Sequence, residues 1–217
     1  MKIVGICGSP RGKKSQTLAL AEATLAGAKA QGAEVERVDL SQARIGFCQA
    51  CEVCHQGPDC VLNDDGKRIL QGVLAADGIV LASPVYLSQV TAQMKALLDR
   101  TSHFVHCLRL MGKYLAVVTT SGGGGGAEVV EYLKKYAITV GAQCVGGVDA
   151  RVPLKESDFA SARELGASLV AAIRAQTAYP EQVRAIEAQK ARFSRLIASR
   201  KDHWPYEHKY WQDKGWL

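Results

Sequence analysis

Four cysteines fall within thirteen residues, at Cys48, Cys51, Cys54 and Cys60, in the pattern C-x2-C-x2-C-x5-C. Thiolates at that density repel one another unless a bound group neutralises them. A [4Fe–4S] cubane does so, because one tight loop can wrap it and offer a sulfur to each of its four irons. Three other readings stay open on the residues. Structural zinc favours two separated C-x2-C pairs or includes histidines, and only His55 is nearby. Disulfides suit an oxidising compartment, whereas seven cysteines is an odd number and nothing suggests secretion. Reduced thiols that no longer hold metal are the third. Cys7, Cys107 and Cys144 stand among apolar residues and are expected to be small core hydrophobes.

A second group of residues could hold an anion. Gly8-Ser9-Pro10-Arg11-Gly12-Lys13-Lys14-Ser15-Gln16-Thr17 follows an apolar run and precedes a helical pattern. Glycines, hydroxyls and a helix N-terminus converge backbone N–H groups on one point, with Arg11 and Lys14 adding charge. The spacing is one residue short of a nucleotide P-loop, and Lys14 stands where the magnesium-binding hydroxyl belongs. The loop therefore suits one phosphate rather than a metal-bound triphosphate. The plain alternative is a turn with Ser15 capping the helix.

Two further loops are candidates to line the same ligand. Pro84, Val85 and Tyr86 form a stiff segment, although Ser83-Pro84 could also be an ordinary turn. Thr120, Ser121, Gly122, Gly123 and Gly124 open a five-glycine run that formally satisfies the dinucleotide pattern G-x-G-x-x-A, a match any glycine run makes by chance. Its backbone is expected to approach a flat ring closely, where a Cβ would intrude. A flexible linker is the alternative.

The elements that must position these loops are legible in the hydrophobic pattern. Short apolar runs at Lys2–Cys7, Glu34–Asp39, Gly78–Ala82, Tyr114–Thr120 and Gln143–Val148 alternate with helical stretches at 15–31, 67–76, 91–101 and 127–140. Near-continuous apolar strands imply a parallel sheet covered on both faces. Strict βα alternation of five strands gives an α/β doubly wound sheet, expected in the order 2-1-3-4-5, with its ligand beyond the carboxyl ends of the strands. Helices at 157–175 and 180–199 follow. Residues 1–177 form the expected domain and 178–217 a helical and aromatic extension. Trp204, Tyr206, Tyr210, Trp211 and Trp216 crowd the last fifteen residues, and such a tail must dock, on its own domain or, the reading preferred here, on a neighbouring subunit.

Composition narrows the function classes. In 217 residues, 47% are hydrophobic and 22% charged, as in an ordinary globular protein. No apolar run approaches the roughly 20 residues of a membrane span, and the start is too short for a signal sequence, so a cytoplasmic location is expected. The net charge of +6 suits flavin or nicotinamide phosphates or an acidic electron-transfer partner. No aromatic-and-basic stripe supports nucleic-acid binding.

Taken together, these residues resemble the iron–sulfur flavoproteins, a branch of the flavodoxin-like NADPH-dependent FMN reductase superfamily. The likeness rests on Gly8-Ser9-Pro10-Arg11 with Ser15-Gln16-Thr17, and on the cysteine motif followed by Asp64-Asp65. It extends to Pro84-Val85-Tyr86 with Lys95 through Asp99-Arg100, and to the tail from Tyr210-Trp211 to Trp216-Leu217. The resemblance implies noncovalent FMN, its phosphate held by Ser9, Arg11, Ser15 and Thr17. The ring would lie between Pro84, Val85 and Tyr86 and the Thr120–Gly124 loop. It also implies a cluster on Cys48, Cys51, Cys54 and Cys60 at a subunit contact, in a homodimer or homotetramer. The expected function is electron transfer between a [4Fe–4S] cluster and FMN, with ferredoxin or NAD(P)H as donor. Two rivals are an NAD(P)H-dependent FMN or quinone reductase with idle cysteines, and a redox or metal sensor. No acid–base dyad or nucleophile triad is apparent, so no catalytic side chain is assigned.

Overall fold

The computed structural model describes residues 1–217. Five strands, β1 (Lys2–Cys7), β2 (Glu34–Asp39), β3 (Gly78–Pro84), β4 (Tyr114–Ser121) and β5 (Gln143–Arg151), form one parallel sheet in the order β2-β1-β3-β4-β5. Helices α1 (Gln16–Ala30), α2 (Asp65–Ala75), α3 (Ala92–Asp99), α4 (Ser102–His106), α5 (Gly126–Thr139) and α6 (Glu156–Ala175) cover it. Two more, α7 (Pro180–Ser199) and α8 (Pro205–Asp213), complete the chain. No helix is long and apolar enough to cross a membrane.

Strand alternation divides the apolar runs between two cores. Ile3 and Cys7 of β1, Val80 and Ala82 of β3, and Ala116 and Val118 of β4 pack under α1 and α6. Val4 and Ile6, Ile79 and Leu81, and Leu115 and Val117 face the opposite layer, built from α2, α3 and α5. Helices α1 and α6 touch backbone to backbone: a Cβ on Gly166 would stand 1.9 Å from the Thr24 carbonyl oxygen. The three central strands match the expected double burial. The edge strands β2 and β5 are only partly buried, because each has a sheet neighbour on one side alone. On the β5 edge Gln182 of α7 takes the neighbour's place. Its Oε1 accepts from the Cys144 N–H at 2.7 Å and its Nε2 donates to the Cys144 carbonyl at 2.9 Å.

The tail packs against its own chain through one of its tryptophans. Trp211 is fully buried within this one chain, in a third core with Cys107, Leu108, Phe193 and Ile197. Its Nε1 donates to the His106 carbonyl at 3.0 Å. Amphipathic α7 supplies part of that core, against which Trp204, Tyr210 and Trp216 pack while staying partly exposed. Cys7, Cys107 and Cys144 are buried as expected.

Candidate functional site

Two sites lie in loops at the carboxyl ends of the strands. The first is a cleft of about 190 Å3 where the loops after β1, β3 and β4 meet. Ser9, Arg11, Ser15, Gln16 and Thr17 line it from the first loop, Pro84, Val85 and Tyr86 from the second, and Thr120, Ser121 and Gly122 from the third, joined by Val152. It stands beside the β1–β3 switch point, the usual ligand position of this topology. Ser15 caps α1 by accepting from the Leu18 N–H at 3.0 Å, which leaves its hydroxyl proton to donate into the cleft. Thr17 and Thr120 share a buried 2.6 Å hydrogen bond that ties the first loop to the third. Gln16 is partly committed elsewhere, since its Oε1 accepts from the Leu154 N–H.

The residues of this cleft fit a phosphorylated ring ligand on two counts. Ser121 Oγ is buried without any hydrogen-bond partner, a state that costs roughly 1–3 kcal/mol until a ligand satisfies it. At Gly122, which lines the cleft, an added Cβ would meet no protein atom within 4 Å and φ is not left-handed, so neither packing nor backbone explains the glycine. The end of the glycine run serves the chain itself. Gly124 and Gly125 take φ of +122° and +82° to turn into α5, and a Cβ on Gly126 would strike Asp149. Of the expected residues, Pro10, Gly123 and Gly124 are not on the wall of the cleft, and neither is Lys14, which lies exposed in the short 3-10 turn Gly12–Lys14.

The second site is a pocket of about 320 Å3 lined by all four motif cysteines, Cys48, Cys51, Cys54 and Cys60, with Asp99, Arg100 and Ser102 on its wall. All seven cysteines of the chain are free thiols. Ala50 and Glu52, between the first cysteines, take left-handed φ of 50° and 58°. Such backbone is strained by about 1 kcal/mol per non-glycine residue, and it folds the loop so that the cysteines share one pocket. Burial, then the neighbouring Cys60, Glu207 and Cys51, push the Cys54 thiol up to about 11. Thiols so crowded become thiolates only when a metal group compensates their charge, which is the donor set a cluster requires.

Arg100 organises this loop, a role that sequence reasoning missed. Its side chain is fully buried. Nη1 donates to Asp64 Oδ2 at 2.7 Å and to the Gly46 carbonyl at 2.9 Å, Nη2 to Asp64 Oδ1 at 3.2 Å, and Nε to Cys60 Sγ at 3.1 Å. Asp64 in turn accepts from the Gly46 N–H at 2.8 Å and caps α2 at the Gly66 N–H. The two ends of the cysteine loop are thus clamped at their base. Burial opposes ionisation of Asp64, but the bonds from Arg100 and Gly46 outweigh it and hold the carboxyl below its usual range. Nothing local signals these contacts, because Arg100 reaches partners 36 to 54 residues away.

A third arrangement lies behind the cysteine loop. Glu207 of α8 is fully buried between two histidines: His55 Nδ1 stands 2.7 Å from Oε1 and His106 Nδ1 3.2 Å from Oε2. Trp204 stacks on both imidazoles, with ring centroids at 4.6 and 4.8 Å. Burial opposes charge on Glu207, yet the His106 and His55 hydrogen bonds prevail and lower its pKa.

With this geometry in hand, comparison with known proteins decides the family. Residues 1–155 match the NADPH-dependent FMN reductase family. An iron–sulfur flavoprotein of Archaeoglobus fulgidus is 32% identical over the full length of both chains. The protein belongs to the iron–sulfur flavoproteins of the NADPH-dependent FMN reductase family. It is an oxidoreductase and a redox flavoprotein. An iron–sulfur flavoprotein of Methanosarcina thermophila is 43% identical over 46% of this chain and 52% of its own length. Among solved structures, a WrbA-like flavodoxin from Agrobacterium tumefaciens superposes with a TM-score of 0.61 at 21% identity, covering 81% of this chain and 99% of its own. That likeness supports the flavodoxin-like fold.

Proposed function

We propose that this protein passes electrons between a [4Fe–4S] cluster on Cys48, Cys51, Cys54 and Cys60 and FMN held noncovalently in the cleft beside β1, β3 and β4. One observation carries the reading: four cysteines from a single strained loop line one pocket, with a buried arginine donating to Cys60 Sγ. When bound, FMN takes up two electrons singly or together and the cluster exchanges them one at a time. The N–H groups opening α1, with Ser9, Arg11, Ser15 and Thr17, hold the phosphate. Pro84, Val85 and Tyr86 and the Thr120–Gly122 backbone orient the ring, and Ser121 Oγ supplies an unspent hydrogen bond. Arg100 offsets the negative charge gathered by the thiolates. No side chain moves a proton in this scheme, so no catalytic residue is named.

Electrons enter from ferredoxin or NAD(P)H. The cleft and the cysteine pocket share no lining residue, which favours a homodimer or homotetramer that brings the pocket of one chain to the cleft of another. Exposed apolar residues support such a contact: Phe47, Val53 and Val61 on the cysteine loop and a fully exposed Leu87 beside Tyr86. Cysteines that must stay out of disulfides to hold a cluster suit a reducing compartment such as the cytoplasm. Serine at Cys48, Cys51, Cys54 or Cys60 should strip iron from anaerobically purified protein and leave FMN bound. Full iron in all four variants, or stoichiometric zinc without sulfide, would overturn the assignment in favour of a plain reductase or a metal sensor.

A further inference from the structure

Resting on the cluster reading above, we propose that Glu207 is a positioning residue for the cluster: by holding His55 it fixes Cys54, so that the C-terminal helix latches the cysteine loop. The loop is otherwise poorly tethered. Between Phe47 and Gly57, a stretch containing Cys48, Cys51 and Cys54, the one hydrogen bond to the rest of the protein is His55 to Glu207. The other bonds there, His55 N–H to Glu52 and Gln56 N–H to Val53, are local. Cys60 has its own anchor in Arg100.

The bond is built to hold. His55 directly follows Cys54 within the 3-10 turn Val53–His55, so fixing the imidazole fixes the neighbouring Cα. Both side chains are buried, at 7% and 0% exposure. Trp204 stacks on the His55 ring and prevents it from swinging away. A buried carboxylate is a poor choice for docking a helix, because its desolvation is costly. Trp211 and its neighbours already dock α8 with apolar contacts. The second imidazole partner, His106, belongs to α4; it joins the tail to the domain and stacks on the His55 ring, with centroids 5.0 Å apart, but makes no hydrogen bond to the loop. Its presence separates two roles: the His106 arm docks the helix, and the His55 arm positions a ligand.

Iron release into a chelator, followed anaerobically on the full-length, cluster-loaded protein, reads the difference. Glu207→Gln and His55→Leu should each release iron roughly tenfold faster than wild type, the scale of lost outer contacts at metal sites. The double variant should be no faster than the quicker single one, because both remove the same bond. His55→Asn, which keeps a donor near the Nδ1 position, should restore slow release, and His106→Leu should stay close to wild type. The electron paramagnetic resonance spectrum of the reduced cluster should change in His55→Leu and not in His106→Leu. Equal acceleration by His55→Leu and His106→Leu would overturn the latch and leave a tail-docking role. So would unchanged release in both Glu207→Gln and His55→Leu. Wild-type protein lacking iron and sulfide would instead defeat the cluster reading itself.

Discussion

Arg11 and Arg100 put the same side chain to opposite uses. Arg11 is exposed at the mouth of the cleft, free to meet an anionic ligand, whereas Arg100 is buried and spends its guanidinium on Asp64, two carbonyls and Cys60. Replacing Arg11 by Ala should weaken FMN binding by roughly 1.5–3 kcal/mol, the worth of a hydrogen bond to a charged group. Fluorescence titration of flavin-depleted protein measures this, and unchanged affinity would place the phosphate elsewhere. Asp64 makes a pH-dependent contribution. Its folded pKa is depressed, so its stabilisation is complete above the unfolded value of about 3.9 and disappears as pH falls through the lower folded value. Denaturation of wild type and Asp64→Asn side by side should show a constant gap above about pH 5 that closes in acid. A gap independent of pH would contradict the ion pair with Arg100. Of these residues, Arg11 was legible because its anion loop is contiguous. The role of Arg100 was not, because it depends on a loop folding back across the start of α2.

At the scale of elements, the central strands β1, β3 and β4 were legible because burial on both faces leaves a near-continuous hydrophobic signature, and the edge strands β2 and β5 from their place in the βα alternation. Helix α7 is marked at its start by Pro180 and observed over the expected span. Helix α8 was invisible as a helix, for its polar and aromatic residues have no clear period, and Trp211 is buried by a surface that exists only once α7 has packed. That surface is the chain's own, while Trp204, Tyr206, Tyr210 and Trp216 stay partly exposed. The loops after β2 and β3 offer the more exposed contact between subunits. Phe47 is 76% exposed, and Leu87 is 101% exposed in a two-residue turn with left-handed φ at Leu87 and Ser88. A strained turn that presents a leucine to water suits a contact site. Phe47→Asp with Leu87→Asp should shift the protein toward monomer in light scattering while the unfolding midpoint changes little. An intact oligomer would move the interface to another face.

For the whole molecule, one sheet serves two candidate redox sites from the same end. Its central strands deliver the flavin loops, and the long β2–α2 connection delivers the cysteines, pinned at Cys60 by Arg100 and at His55 by α8. The FMN reductase family match ends at residue 155, before α7 and α8, so the C-terminal brace of the cysteine pocket lies outside the segment that defines the flavin fold. The most direct measurement is the iron, acid-labile sulfide and flavin content of the full-length protein purified without oxygen. About four iron and four sulfide per chain, together with one FMN, is the result predicted here. FMN accompanied by zinc or by bare thiols, with no sulfide, would contradict it.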